Sequence, residues 1–372
     1  MGIYKMKLGI ITLHRSMNYG AVLQAYALQE VLERLGTEPT IIDYVRNYNY
    51  TGSSIFAPWS TYKNIIINCF ALLRYKKAKN KINRFKEFYN EFYRLSTDRF
   101  YSCDDLTKIA RDYDAFICGS DQIWRPSDNN DQTRAYYLDF AGKAEAKKIA
   151  YAPSFGLSTV PDGFRRIIRP FINNFQYLST REETGKRIIL ETTGRIANVV
   201  LDPTMLLNSE QWLKIAVPPV IKTAYILVYA ISQKRDICNL VKHVKNKTAL
   251  PIVVISPTAL NLVPNTDYVI YDASPREYVR LFANASCVCT NSFHGMAFSI
   301  INRLPFWTTP HRVANSRLTD LLQRIKLSDR QVHCTEEFPD NPLDINYSDA
   351  ELILNKARDE SISFLEESLY DN

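Results

Sequence analysis

Leu8-Gly-Ile-Ile-Thr-Leu13, a polar turn, Ala21 to Leu35 with apolar residues at helical spacing, Gly36, then Ile41-Ile-Asp-Tyr-Val45: this opening stretch decides the fold. Its outer segments are short, apolar and rich in β-branched residues, and the helix between them ends on a glycine placed to take a left-handed C′ conformation. The unit reads as β-α-β. The same grammar continues outward, with strand candidates at Ala115-Phe-Ile-Cys118, Lys148-Ile-Ala-Tyr-Ala152, Tyr177-Leu-Ser179 and Asn198-Val-Val-Leu201. Around Pro218-Pro219 it restarts. Tyr225 to Ala230, Pro251 to Ile255, Tyr268 to Ile270, Cys287 to Cys289 and Pro305 to Trp307 form a second strand series. Helical stretches lie between them at Ile237 to Val244, Arg276 to Ala285 and Met296 to Ile301. Strands separated by helix-sized gaps predict an α/β protein of two Rossmann-like domains with mainly parallel sheets, facing one another across a cleft.

The expected division is an N-terminal domain over 1–215 with a basic helical insertion at 46–101, and a C-terminal domain over 216–348. An amphipathic helix over 349–372, capped by Ser348 or Asp349, is expected to pack back on the first domain. The 372 residues suffice for two or three domains, and 46% hydrophobic against 23% charged residues excludes disorder for most of the length. No two of the 12 glycines stand two apart, and neither Gly-Lys pair precedes Ser or Thr. Both the dinucleotide fingerprint and the P-loop are therefore absent.

Seven scattered cysteines, an odd number with no C-x-x-C pair, predict free thiols in a reducing compartment and no zinc site. The start lacks the apolar run of a signal peptide, and the longest apolar stretch, Ile65 to Leu73, is too short to span a bilayer. A cytoplasmic protein is expected.

The net +7 is concentrated. Between Tyr44 and Tyr101 there are 11 Lys or Arg against 3 Asp or Glu, and the aromatics Phe85, Phe88, Tyr89, Phe92 and Tyr93 follow the basic run at helical spacing. One reading is a helix that docks by its aromatic face and leaves its lysines in water. The other is attraction to an anionic membrane surface or a lipid-linked substrate, which would place the protein at the inner face of the membrane. Nucleic acid is not expected, because the rest of the chain is neutral and lacks a reading motif.

Residues that follow a strand sit at the cleft, and three such turns are unusually polar: Gly119-Ser-Asp-Gln-Ile-Trp124, Ser179-Thr-Arg-Glu-Glu183 and Thr290-Asn-Ser-Phe-His-Gly295. They make Asp121, Gln122, Arg181, Asn291, Ser292 and His294 the candidates. His294 stands between a strand and a helix N-terminus, where an imidazole moves protons near neutral pH. Arg181 beside Glu182 is either a surface ion pair or a clamp for a carboxylate or phosphate. Asn18 and Gly20, ahead of the first helix, are either a cap and a tight turn or an anion-binding turn. There is no H-E-x-x-H, G-x-S-x-G or Asp-rich metal loop.

Asn18-Tyr-Gly-Ala-Val-Leu-Gln-Ala-Tyr-Ala-Leu28, Gly119 to Trp124, Tyr151-Ala-Pro-Ser-Phe-Gly156, Ser179 to Glu183, Leu201-Asp-Pro-Thr204, Thr290 to Gly295 and Asn315-Ser-Arg-Leu318 stand in this order along the chain. As an ordered set they resemble the polysaccharide pyruvyltransferase family. The resemblance implies a fold similar to GT-B glycosyltransferases. It also implies transfer of pyruvate from phosphoenolpyruvate onto two hydroxyls of one sugar, as a ketal, on a cell-surface polysaccharide or its lipid-linked precursor. It makes His294 the general acid and Arg181 a ligand of the donor's phosphate or carboxylate, with no metal and no cofactor. Better-understood members carry an arginine two residues before the histidine. This chain has Ser292 there, so Arg312 and Arg317 are the expected substitutes.

Two rivals stand beside that reading. A nucleotide-sugar glycosyltransferase of the same fold would often use two glutamates eight residues apart, a spacing that Glu277, Glu336 and Glu337 do not provide. A non-catalytic scaffold in glycan assembly would tolerate loss of His294.

Overall fold

The computed structural model describes residues 5–45, 75–142, 145–232, 235–256, 261–310, 316–333 and 337–371. The first sheet has seven strands: β1 (Lys7–Ile11), β2 (Glu38–Tyr44), β3 (Leu95–Phe100), β4 (Ala115–Cys118), β5 (Lys147–Ala150), β6 (Tyr177–Thr180) and β7 (Asn198–Val199). Their spatial order is β3-β2-β1-β4-β5-β6-β7. The second has five: β8 (Ile226–Tyr229), β9 (Ile252–Ile255), β10 (Tyr268–Ile270), β11 (Cys287–Thr290) and β12 (Phe306–Thr308), in the order β10-β9-β8-β11-β12. Every pairing within the two sheets is parallel. Each sheet winds outward in both directions from its first strand, leaving a switch point at which adjoining loops diverge and ligands bind. The strands have helices on both faces, so β4, β8, β9 and β11 are buried at all four positions, as their continuous apolar runs require.

The helices that concern the site are labelled α1 (Tyr19–Arg34), α2 (Tyr75–Phe92), α3 (Glu183–Thr193), α4 (Pro275–Ala283), α5 (Phe293–Ile301), α6 (Ser316–Arg324) and α7 (Ser348–Tyr370). Past the end of α1, Gly36 takes φ +87°, the left-handed turn expected of it.

Away from the site, the structure differs from the sequence reading in two places. The stretch 46–101 is not wholly helical, because Leu95-Ser-Thr-Asp-Arg-Phe100 is the edge strand β3. An edge strand is half-solvated and tolerates charge, so it shows none of the apolar character by which the other strands are read. Residues 46–74 of that stretch lie outside the described residues. The start of α7 is not capped by Ser348 or Asp349 either; Asn346 accepts the Ser348 N–H at 2.9 Å instead.

Helix α2 lies across both domains. It buries Phe85, Phe88 and Tyr89, and Lys81 sits over the Tyr19 ring at 5.0 Å. Toward the second domain, Arg84 pairs with Glu277 at 2.6 Å and Asn80 donates to Asp272. Tyr19 stacks on Tyr278 of α4 at 4.6 Å and donates its hydroxyl to the Ala273 carbonyl. Helix α7 runs back over the first sheet: Ser361 accepts the Leu201 N–H, and Phe364 packs 6.3 Å from Tyr151. Among the described residues no helix is long and apolar enough to cross a membrane.

Candidate functional site

The site forms where the turns after β4, β6, β7 and β11 meet. Asp202, directly beyond β7, is fully buried and fills both carboxylate oxygens. Its Oδ1 accepts the Thr204 backbone N–H (3.0 Å) and hydroxyl (2.7 Å), which fixes the turn. Its Oδ2 accepts from Ser120 at 2.8 Å and from Arg181 Nη1 at 2.6 Å, and His294 Nε2 lies 3.6 Å from the same atom. One oxygen from the first domain thus gathers the arginine of the β6 turn and the histidine of the second domain.

Arg181 is buried, with its Cζ 4.2 Å from the centre of the Phe293 ring. The Glu182 carboxylate lies 3.6 Å from Arg181 Nε, and its other oxygen accepts the Ser154 hydroxyl at 2.5 Å. Arg317, on α6 of the second domain, is buried close enough to Arg181 for the two charges to repel. Among the described residues, Arg181 Nε and Nη2, Glu182 Oε2 and His294 Nε2 are buried polar atoms with no hydrogen-bond partner. Buried polar atoms are nearly always satisfied, so four orphans in one cluster mark a place built for something else.

The electrostatics follow from that crowding. Burial alone would raise the Asp202 carboxyl, yet His294 and Arg181 hold it well below the usual carboxylate range. Glu182 is pushed up, chiefly by burial. Burial and the neighbouring Arg181 bring Arg317 down to about 10.

His294 is the second residue of α5, not a residue of the loop before it. Ser292 is the helix cap, accepting the Gly295 N–H at 3.4 Å. Asn291 is occupied on both sides, accepting from Ile231 N and donating to Ser232 O, so it and Ser292 hold the turn in shape. Asn18 likewise spends its Oδ1 on the N–H groups of Gly20 and Ala21, the capping alternative. Gly20 has a different use. A Cβ on it would stand 2.0 Å from His294 Nδ1, so the imidazole rests against bare backbone of the opposite domain.

Asp121 adopts φ 72° beside Pro153, buried near Arg181. Gln122 lies over Gly156, whose absent side chain makes room for it. Arg312 lies outside the described residues. Arg181, His294 and Arg317 are therefore brought together, with Asp121 beside them, while Asn18, Asn291 and Ser292 support the frame. The sequence alone assigns no site role to Asp202, Glu182, Ser120 or Phe293, although Glu182 stands beside Arg181 as its ion-pair partner and Asp202 lies within the Leu201-Asp-Pro-Thr204 motif. Asp-Pro-Thr reads locally as an ordinary turn, and only the fold reveals that its second oxygen serves a residue 21 positions away.

A cavity of about 860 Å³ opens on Arg181, Glu182, Asp202 and Phe293 and extends between α3, β7, α6 and α7. Among the described residues no group of three or more His, Cys, Asp or Glu is placed to hold a metal ion, and the described cysteines are free thiols.

A second buried cluster stands at the ends of β1 and β2. Asp43 accepts from His14 Nε2 (3.0 Å), twice from Arg15 (2.5 and 2.7 Å) and from Arg99 (3.0 Å). His14 Nδ1 meets the Thr12 carbonyl at 3.1 Å.

A family model described as polysaccharide pyruvyl transferase matches residues 18–311. No curated protein matches the chain. Among solved structures, a Listeria monocytogenes protein described as a UDP-N-acetylglucosamine 2-epimerase is similar at TM-score 0.52 and 10% identity, over 99% of this chain and 98% of that one. The Methanocaldococcus jannaschii UDP-GlcNAc 2-epimerase, in complex with UDP-GlcNAc and UDP, gives 0.50 and 17% over 95% and 94%. An α-glucosyltransferase in complex with UDP gives 0.50 and 9% over 97% and 95%. At such identities the likeness establishes the fold, which is the GT-B arrangement of two Rossmann-like domains.

Proposed function

The chain belongs to the polysaccharide pyruvyl transferase family, and from that premise we propose that it transfers pyruvate from phosphoenolpyruvate onto two hydroxyls of one sugar as a cyclic ketal. The observation that carries the reading is the orphaned polar cluster: two N–H donors of buried Arg181 and the Nε2 of His294, around a single oxygen of Asp202. A buried guanidinium with free donors, close to the second buried guanidinium of Arg317, suits a multiply charged anion. The donor's phosphate and carboxylate supply that charge.

In the proposed reaction His294 delivers a proton to the methylene carbon of the enol. The neighbouring carbon becomes electrophilic and takes the first sugar hydroxyl. The proton of the first hydroxyl returns to His294, and the second hydroxyl then displaces inorganic phosphate, which leaves carrying that hydroxyl's proton, and closes the ketal. Asp202 acts as a positioning residue, fixing Arg181 and lying where its charge balances a protonated His294. Each residue does this with side-chain chemistry alone, so the proposal includes neither cofactor nor metal. Arg317 takes the part of the arginine that Ser292 replaces.

The acceptor is a polysaccharide or its lipid-linked precursor, handled in the cytoplasm. A separable proposal is that the exposed Lys76, Lys77, Lys79 and Lys86 of α2 meet an anionic membrane surface. Salt-insensitive co-sedimentation with vesicles, independent of anionic lipid, would count against it.

Calorimetric titration tests the donor. Phosphoenolpyruvate should bind saturably, nucleotide sugars should not, and Arg181→Ala should weaken phosphoenolpyruvate binding at least about thirtyfold. Binding of a nucleotide sugar alone would overturn the reading in favour of a glycosyltransferase.

A further inference from the structure

Glu182 is the buried titratable group that the proposed reaction leaves unused. It stands at the N-cap position of α3, yet its side chain does not cap the helix. The carboxyl faces the cavity beside Arg181 instead, with 3% of the side chain exposed. Its Oε1 accepts the Ser154 hydroxyl, and Ser154 Oγ in turn accepts the Gly156 N–H at 3.0 Å. Its Oε2 is the one carboxylate oxygen among the described residues that is buried without a hydrogen-bond partner. That oxygen lies 3.6 Å from Arg181 Nε, which also lacks a hydrogen-bond partner among them. The gap is too wide for a bond between the two, but both atoms can reach one ligand oxygen placed about 2.8 Å from each.

Charge decides the state in which Glu182 does this. An ionised Oε2 only accepts and repels a phosphate oxygen, whereas a protonated one donates to it. Arg181 already faces Asp121, Glu182 and Asp202, Arg317 faces the first two, and Asp320 of α6 adds negative charge near Glu182. On α3 itself Glu183 and Lys186 pair with each other at 3.9 Å. A donor with a phosphate and a carboxylate brings about three more negative charges into this buried place. Asp202 cannot take a proton to relieve it, because both of its oxygens are filled by donors. Glu182 has the oxygen with room, and burial already pushes its carboxyl toward the acid form. With Ser154 donating to Oε1, the place for the proton is Oε2.

We infer that the donor enters together with a proton: Glu182 binds it as the neutral acid, its Oε2–H and the Arg181 Nε–H converging on one phosphate oxygen. The inference rests on the pyruvyl-transfer reading for the identity of the anion, and it adds a donor contact and a proton linkage that the reading does not contain. Because the bound state holds more protons than the free one, donor affinity falls as pH rises.

The experiment is calorimetric titration of phosphoenolpyruvate at pH 8 in buffers of different ionisation enthalpy, which counts the protons taken up. At that pH a phosphate monoester, with a second pKa of about 6, is already fully ionised. Wild type should take up about one proton more per donor bound than Glu182→Gln, whose carboxamide keeps the shape and the donor of the neutral acid. The uptake should persist in His294→Gln. Between pH 7 and 9 the wild-type Kd should rise at least about tenfold, and that of Glu182→Gln less than about threefold. Equal uptake in wild type and Glu182→Gln, or its loss in His294→Gln, overturns the inference. So does a wild type that binds the donor without a proton, a result that needs no variant to fold. Inorganic phosphate is titrated alongside. If it binds with the Glu182-dependent proton while phosphoenolpyruvate does not bind, the donor reading fails and the proton site stands; if neither binds, both fall.

Discussion

Two buried clusters of histidine, aspartate and arginine stand at strand ends in this molecule, and they are built to opposite rules. Around Asp43 every acceptor is used: four bonds from three side chains reach the carboxylate, and both nitrogens of His14 have partners. Around Asp202 the carboxylate is equally well served, but the groups serving it are not, since Arg181 and His294 keep buried nitrogens with no hydrogen-bond partner among the described residues, only ion-pair approaches at 3.6 Å. Leaving a buried polar atom unsatisfied costs about 1–3 kcal/mol. A cluster that bears this cost several times over is arranged for a ligand, whereas one that avoids it is a strut. Composition does not separate the two; hydrogen-bond accounting does.

The widest separation between the clusters should appear in turnover. His294→Gln is expected to lower kcat by about a thousandfold while His14→Gln changes it less than about threefold per folded molecule; equal losses in phosphate release would erase the distinction. Stability should show the reverse. Asp43→Asn is expected to cost about 2 kcal/mol at neutral pH, below the figure for a wholly buried pair because Arg15 and Arg99 are partly exposed.

The pH dependence sharpens this second contrast. His14, Arg15 and Arg99 hold the Asp43 carboxyl well below the usual range despite the burial that would raise it. Its contribution is therefore present above about pH 4, the value in the unfolded chain, and is lost as pH falls below that toward the folded value. The gap between wild type and Asp43→Asn in urea unfolding should narrow between pH 5 and about 3, and a gap constant with pH would refute the assignment. The smallest effect is steric. Gly20→Ala puts a methyl group into His294 and should lower kcat about tenfold with little change in donor affinity; a normal kcat would mean the ring relaxes without consequence.

Much of this was readable in the sequence, for physical reasons that also say where reading stops. Parallel strands covered on both faces must be apolar throughout, so β4, β8, β9 and β11 declare themselves. Strand β3, solvated at the sheet's edge, does not. Turns after strands are polar because they line the cleft, which exposed Arg181 and His294 as candidates. What no local pattern carries is partnership. Asp202 looks like a turn residue until Arg181 and His294 are folded onto it, and Asn18, Asn291 and Ser292 look like ligands until their bonds are found to be spent on the backbone. Lys81 is a similar case: among the described residues of a seven-residue basic run it is the one that is buried, over Tyr19, with its ammonium brought down to about 8 by burial.

Two Rossmann-like units joined end to end invite the view that they are interchangeable parts. The contact between Gly20 and His294 makes them a matched pair instead. A crossover in the stretch between β7 and β8 would carry His294 into a foreign partner, and the hybrid would work only where that partner also lacks a side chain at the facing position. Shuffling these halves among related genes should therefore yield many well-folded chimeras and few active ones, with inheritance of the glycine predicting which.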